Sequence, residues 1–184
     1  MMNLKGYDLP NLPSELSVEQ FDKLNLITTD STLDNIEKWM TKFEYLGFPS
    51  ELFDDMSFEE LKEAIKDFND IPPYSREFTK SIEVDGYTYE ANETIGVKDL
   101  GLIEKTWKLN SAHFAAETLA ILFKRTDLTK KEHYAPAHIK QKANLFKKQK
   151  AEIAIPYVLE IVKLLTETAQ QVNDDSEELA GDNA

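Results

Sequence analysis

Leu33, Ile36, Met40, Phe43 and Leu46 recur at the three- and four-residue spacing of one helix face, and Gly47 followed by Pro49 stops the run. The spacing predicts a helix from about Thr32, its apolar stripe widened by Trp39. Upstream, the prolines hold Leu9-Pro10-Asn11-Leu12-Pro13-Ser14 extended. Ser17-Val18-Glu19-Gln20 is then a capping box, predicting a short helix that carries Phe21, Leu24 and Leu26. A second box, Ser57-Phe58-Glu59-Glu60, opens a helix with Leu61, Ala64, Ile65 and Phe68 on one face, ending near Asn69. Asp70-Ile71-Pro72-Pro73-Tyr74 cannot continue it, because proline removes a backbone donor and clashes with the preceding turn.

Beyond that break the period changes to two. Ser81-Ile82-Glu83-Val84 and Tyr87-Thr88-Tyr89-Glu90 alternate around Asp85-Gly86, a dipeptide suited to a two-residue turn with positive φ. One such hairpin is too small to stand alone and must dock on helices. Gly96 to Lys108 reads as a helix carrying Val97, Leu100, Ile103 and Trp107; after Asn110-Ser111, Phe114 to Phe123 is apolar nearly all round and belongs at the centre. A loop from Arg125 to Tyr134 leads to Pro136 at the first position of a helix. Its inner stripe is Ile139, Ala143 and Phe146, with Lys140, Lys142, Lys147 and Lys148 expected outside. Ala151 to Val172 makes the last helix, with Pro156 near its start and Ile155, Leu159, Val162 and Ala169 on one side. Its apolar stretch from Ala151 to Leu165 holds Glu152, Glu160 and Lys163, so it reads as a buried helix.

These elements predict a mainly α fold with one β-hairpin, an α+β chain of two small helical lobes joined by a Pro-rich linker. The lobes are 1–70 and 76–172, the linker is 71–75, and 173–184 is an acidic tail whose composition predicts disorder. With 184 residues, 41% of them hydrophobic, the chain can bury a substantial core. The formal charge of −13 divides unevenly: residues 1–75 are net −10, 76–172 net +2 and 173–184 net −5. Between Lys124 and Lys150, nine Lys or Arg face only Asp127 and Glu132.

Candidate chemistry is sparse. There is no Cys, which removes disulfides, thiolate metal sites and a thiol nucleophile, and fits a reducing compartment. No signal-type run opens the chain and no window approaches the ~20 apolar residues of a membrane span, so no membrane role is expected. His133 and His138 are five apart, about 140° round a helix, and do not converge on a metal; His113 reads as a polar residue near a helix start. Asp54-Asp55 and Glu59-Glu60 are adjacent pairs that point apart and suit a helix start. Gly96-Val97-Lys98-Asp99-Leu100-Gly101 is not a dinucleotide fingerprint. No catalytic, metal-binding or cofactor-binding residue is expected, and an enzyme is not.

The basic segment with Tyr134 and Phe146 is open to three readings: a solvated helix face, a dock for an acidic protein, or a track along a phosphate backbone. The acidic balance of the chain argues against the last. Lys140, Lys142, Lys147 and Lys148, with Trp39 and Trp107 as aromatic anchors, are the candidate partner-binding residues, although core packing is the default reading of the two tryptophans.

The order of these segments resembles small assembly-chaperone-like and structural proteins of tailed bacteriophages. The likeness runs over roughly residues 10–170: Leu12-Pro13 leading into Leu16-Ser17-Val18-Glu19-Gln20-Phe21-Asp22-Lys23-Leu24, a helix ending Tyr45-Leu46-Gly47-Phe48, and Met56-Ser57-Phe58-Glu59-Glu60-Leu61. In the second half it rests on Val84-Asp85-Gly86-Tyr87-Thr88-Tyr89, Thr94-Ile95-Gly96-Val97-Lys98-Asp99, Leu119-Ala120-Ile121-Leu122-Phe123 and His133-Tyr134. The chain departs from that pattern in its Lys-rich segment at Ala143–Lys150 and in its acidic tail. The resemblance implies a non-enzymatic tail or neck assembly protein that binds other phage structural proteins, or a second copy of itself. It would work in the host cytoplasm during assembly or within the virion, with no catalytic residues to carry over. The rival expectation is a virion-packaged nucleic-acid-associated protein using residues 124–150.

Overall fold

The computed structural model describes residues 1–70, 77–91, 94–109 and 112–181, with backbone alone for 171–181. The expected linker at 71–75 and the Asn110-Ser111 break lie outside the described residues. Strands β1 (Met2–Leu4) and β2 (Tyr7–Leu9) precede helices α1 (Val18–Thr29) and α2 (Asn35–Tyr45), a 3-10 turn at Ser50–Phe53, and α3 (Phe58–Asn69). Next come β3 (Ser81–Val84), β4 (Tyr87–Ala91), α4 (Val97–Lys108), α5 (Phe114–Leu122), β5 (Phe123–Arg125), α6 (Lys130–His133), α7 (Pro136–Phe146) and α8 (Ala151–Gly181). The chain is mainly helical with two small antiparallel sheets, an α+β fold as the sequence predicts.

Local chemistry sets the boundaries. Both expected capping boxes form: Ser17 Oγ accepts from the Gln20 amide at 3.1 Å and Ser57 Oγ from the Glu60 amide at 3.2 Å, while each partner side chain accepts from its cap amide in return. Ser57→Ala is therefore expected to destabilise the protein by about 1 kcal/mol, read as a fall of about 2–4 °C in thermal midpoint. Asp34 and Thr129 build two further boxes with Glu37 and Glu132, which start α2 at Asn35 rather than Thr32 and draw α6 out of the expected loop. Asp85 and Gly86 take positive φ, 56° and 77°, pairing Val84 with Tyr87 and Ile82 with Tyr89.

Two pairings differ from the sequence reading. The N-terminal segment folds back at Lys5-Gly6 (φ 48° and 91°) into a hairpin that pairs Met2 with Leu9 and buries Met2, Leu4 and Leu9. Phe123, expected to end the central helix, leaves it in extended backbone and starts a third strand that pairs with Ala91. In α8 the backbone stays helical to Gly181, past the expected end at Val172 and into the segment 173–184; its last three residues lie outside the described ones. Asn173 to Gly181 holds no proline, so nothing in its backbone forces a stop.

The buried residues form two clusters that do not divide at residue 71. One holds Leu9, Phe43, Phe48, Leu61 and Phe68, and it takes Ala151 and Ile155 from α8. The other surrounds α5, whose Ala115, Ala116, Leu119 and Ala120 are wholly buried, and it takes Val18 from α1. Helices α1 and α8 thus belong to both clusters. Phe21 packs against each of them.

Candidate partner-binding groove

Helix α8 carries two apolar stripes. Ala154, Tyr157, Val158 and Ile161 face the core. Of the second stripe, the expected Ile155, Leu159, Val162 and Ala169, Ile155 is buried, and the rest lies open: Leu159 is 45% exposed, Val162 46%, and Ala169 is exposed. The stretch expected to be a buried helix is therefore buried on one face and uncovered on the other, because the neighbouring helices flank this second stripe without closing over it.

Three recesses follow the open stripe. The first, about 340 Å³, lies among Leu16, Leu24, Trp39, Phe68, Ile155 and Leu159. It shares Phe21, Asn25, Val158 and Leu159 with the second, about 460 Å³, which adds Leu26, Phe114, Trp107 and Val162. Trp107 also borders the third, about 770 Å³, between Val97, Leu100 and Glu104 of α4 and Leu165, Thr168 and Ala169 of α8. From Ile155 to Ala169 this seam runs about 21 Å along the helix axis, and Val97 at its far rim is 90% exposed.

The two candidate tryptophans fall on this one seam. Trp39 is half-buried at one end, held edge-on by Phe68 at 5.6 Å, with Lys42 Nζ 4.0 Å above its ring. Trp107 stands between the second and third recesses; its indole N–H donates to Thr118 Oγ1 at 3.2 Å and its ring meets Phe114 edge-on at 5.7 Å. Both rings are fixed by packing while one side stays open, the state in which an aromatic side chain anchors a partner at little entropic cost.

The four candidate lysines separate. Lys140 and Lys148 are exposed on and just after α7, and line none of the three recesses. Lys147 is half-buried; its carbonyl accepts from the Glu19 amide at 3.0 Å, tying the end of α7 to α1. Lys142 was expected on the outer face and is instead 1% exposed. The reason is periodicity: position 142 lies three after Ile139 and four before Phe146, on the very stripe that buries them.

Around Lys142 the structure gathers a polar cluster that sequence spacing does not reveal. Lys142 Nζ donates to the Phe123 carbonyl at 3.2 Å and lies 2.7 Å from His133 Nδ1, and His133 Nε2 lies 2.9 Å from the Ile121 carbonyl. Beside them the buried Asp99 accepts from the Tyr134 hydroxyl and from Lys124 Nζ at 3.3 Å. Burial, reinforced by the Lys124 charge, pulls the Lys142 ammonium down to about 7; burial and then Lys142 push His133 down to about 4. Burial and the bond to Asp99 push the Tyr134 hydroxyl upward. Each of these polar atoms is spent on a neighbour or a backbone carbonyl, so the cluster closes the end of α5 and presents no reactive group outward.

The basic segment is correspondingly less available than its composition implies. Lys124 and Lys142 turn inward, and Arg125 is held by both oxygens of Asp127 at 2.6 Å while it stacks on Tyr87. Among the described residues no group of three or more His, Asp or Glu is placed to hold a metal ion, and no helix is long and apolar enough to cross a membrane. No family model matches the chain, and no curated protein or solved structure matches it.

Proposed function

We propose that this chain is a non-enzymatic assembly protein of the tailed-phage kind its segments resemble, which holds an amphipathic helix of a virion protein along α8. The observation that carries this reading is the open stripe at Leu159 and Val162, continuous with the Trp39 and Trp107 recesses. Exposed apolar residues scattered singly are ordinary on a protein surface; a connected seam with fixed aromatics marks an interaction site. Its length suits about four turns of helix laid in a groove, with anchors three and four residues apart. Catalysis has less support, because the titratable groups drawn together around Lys142 are turned inward onto one another. The protein would act in the host cytoplasm while particles assemble, and a second copy of the chain would compete for the same seam.

Affinity capture from infected cells, with mass spectrometry of purified virions, tests this. Tail or neck proteins should be recovered on the wild-type chain, and the double variant Leu159→Lys/Val162→Lys should lose at least tenfold of that capture with an unchanged melting curve, since both side chains are nearly half exposed. Recovery of no virion protein, together with absence from the particle, defeats the reading.

A further inference from the structure

We propose that α6 and the first half of α7 form an acid-released flap, held shut by neutral His133 and opened when that ring takes up a proton. The argument begins with hydrogen positions. A carbonyl oxygen only accepts, so the His133 nitrogen facing Ile121 must carry hydrogen and donate; the other nitrogen then offers its lone pair to Lys142. In this neutral tautomer every bond is made. The pair ties α6 and α7 to the last residue but one of α5 and to the first residue of β5, Phe123.

A second proton on His133 leaves no such solution. Nδ1–H would point at Lys142 Nζ from 2.7 Å, setting two buried cations against each other. The surrounding charges do not relieve this. From α4 comes Asp99, already shared between Lys124 and Tyr134; from β5 come Lys124 itself and Arg125, the latter paired with Asp127. On α6, Glu132 is committed to the Thr129 cap. On α7, His138 has a buried Nε2 without a hydrogen-bond partner, and burial and Lys142 also disfavour its charged form. Both histidines of the flap therefore gain from reaching water once protonated. Phe146 and Ala143 keep the far half of α7 docked, so the release is confined to the stretch from Thr129 to about Lys142.

The ring is pulled from its ordinary value of 6.5 to about 4 when shut, so lowering the pH from 7 to 5 should raise the open fraction about twentyfold. Lys142, also depressed in the closed form, acts with the same sign. Hydrogen exchange on the full chain, corrected for the intrinsic pH dependence of amide exchange, reads this directly. Protection across residues 129–142 should fall about twentyfold from pH 7 to pH 5 while that of α3 and α5 holds. His133→Gln keeps a donor for Ile121 and an acceptor for Lys142 without a titrating group, and should remove most of the change, leaving only the smaller part due to Lys142 and His138; His138→Gln should reduce it slightly. Should His133→Gln not fold, nitrogen NMR of the wild-type imidazoles replaces it, with an Nε2–H tautomer at pH 7 and a midpoint well below 6.5 as the expected result. Unchanged protection of 129–142 in the wild type, an equal loss in His133→Gln, or a His133 midpoint at its ordinary value overturns the proposal.

Discussion

Phe146→Ala should lower the free energy of unfolding by about 3–5 kcal/mol, the range for emptying a core site of a phenylalanine. Phe146 is wholly buried, and its ring packs edge-on against Tyr89 of β4 at 5.3 Å and at a tilt against Phe123 of β5 at 5.8 Å. It therefore joins α7 to two strands of the three-stranded sheet. Phe123 in turn meets Tyr157 of α8 at 5.4 Å, so the void would lie in an aromatic chain crossing the cluster around α5. Rings and sheet cannot collapse far into such a space, which places the cost toward the upper end. Urea unfolding followed by circular dichroism measures it. Val97→Ala, at a position 90% exposed, should change stability by no more than about 0.5 kcal/mol in the same assay.

The parts of the fold that the sequence discloses are those fixed by short-range rules. A Ser with Gln or Glu three residues on, an Asp-Gly between alternating segments, and a proline ahead of Ile139 each act within a few residues, and α1, α3, the β3–β4 hairpin and α7 follow. What stays hidden depends on long-range partners. Phe123 leaves the helix because Ala91 offers a strand to pair with, and no local pattern around Phe123 contains Ala91. The N-terminal hairpin was obscured because Lys5-Gly6 lacks the Asn or Asp that usually announces its turn. Lys142 is legible in its spacing from Ile139 and Phe146, which is that of a buried stripe, although its charge and lysine neighbours suggest an outer face. The open stripe of α8 is the reverse case. Spacing marks Leu159 and Val162 as one face, while whether a neighbour covers that face depends on where α1 and α4 come to rest.

One carboxyl group ties α1 to the start of α5. Asp22 is wholly buried, and its two oxygens accept from the amides of Ala115 at 2.8 Å and Ala116 at 3.3 Å. These are first-turn donors of α5, whose own cap residue His113 makes no side-chain capping bond, so the central helix is capped by a residue 93 positions upstream. Asp22→Ala strands both amides in the core and should destabilise the protein by about 2–4 kcal/mol. It should also weaken partner capture, because α1 brings Phe21, Asn25 and Leu26 to the seam.

The pH dependence separates the two states of this carboxyl. Burial pushes it from 3.8 up to about 7, against the pull of its two amide donors, with Glu117 adding to the rise and Lys147 opposing it. The folded chain then holds a proton that the unfolded chain releases between pH 3.8 and 7. The proton-linked part of the Asp22 contribution is thus full below pH 4, declines as pH rises, and is lost by about pH 7, while the bonds to the two amides remain. His133 has the opposite slope over pH 4 to 6.5, so the wild-type profile alone mixes the two effects. Comparison with Asp22→Asn isolates the carboxyl, since the amide is nearly isosteric and does not titrate. The stability difference between the two proteins should move in favour of the wild type as pH falls from 7 to 4. A difference that stays constant would mean that the paired amides at the start of α5 keep Asp22 ionised throughout, and that α1 is held by a charged cap rather than a neutral one.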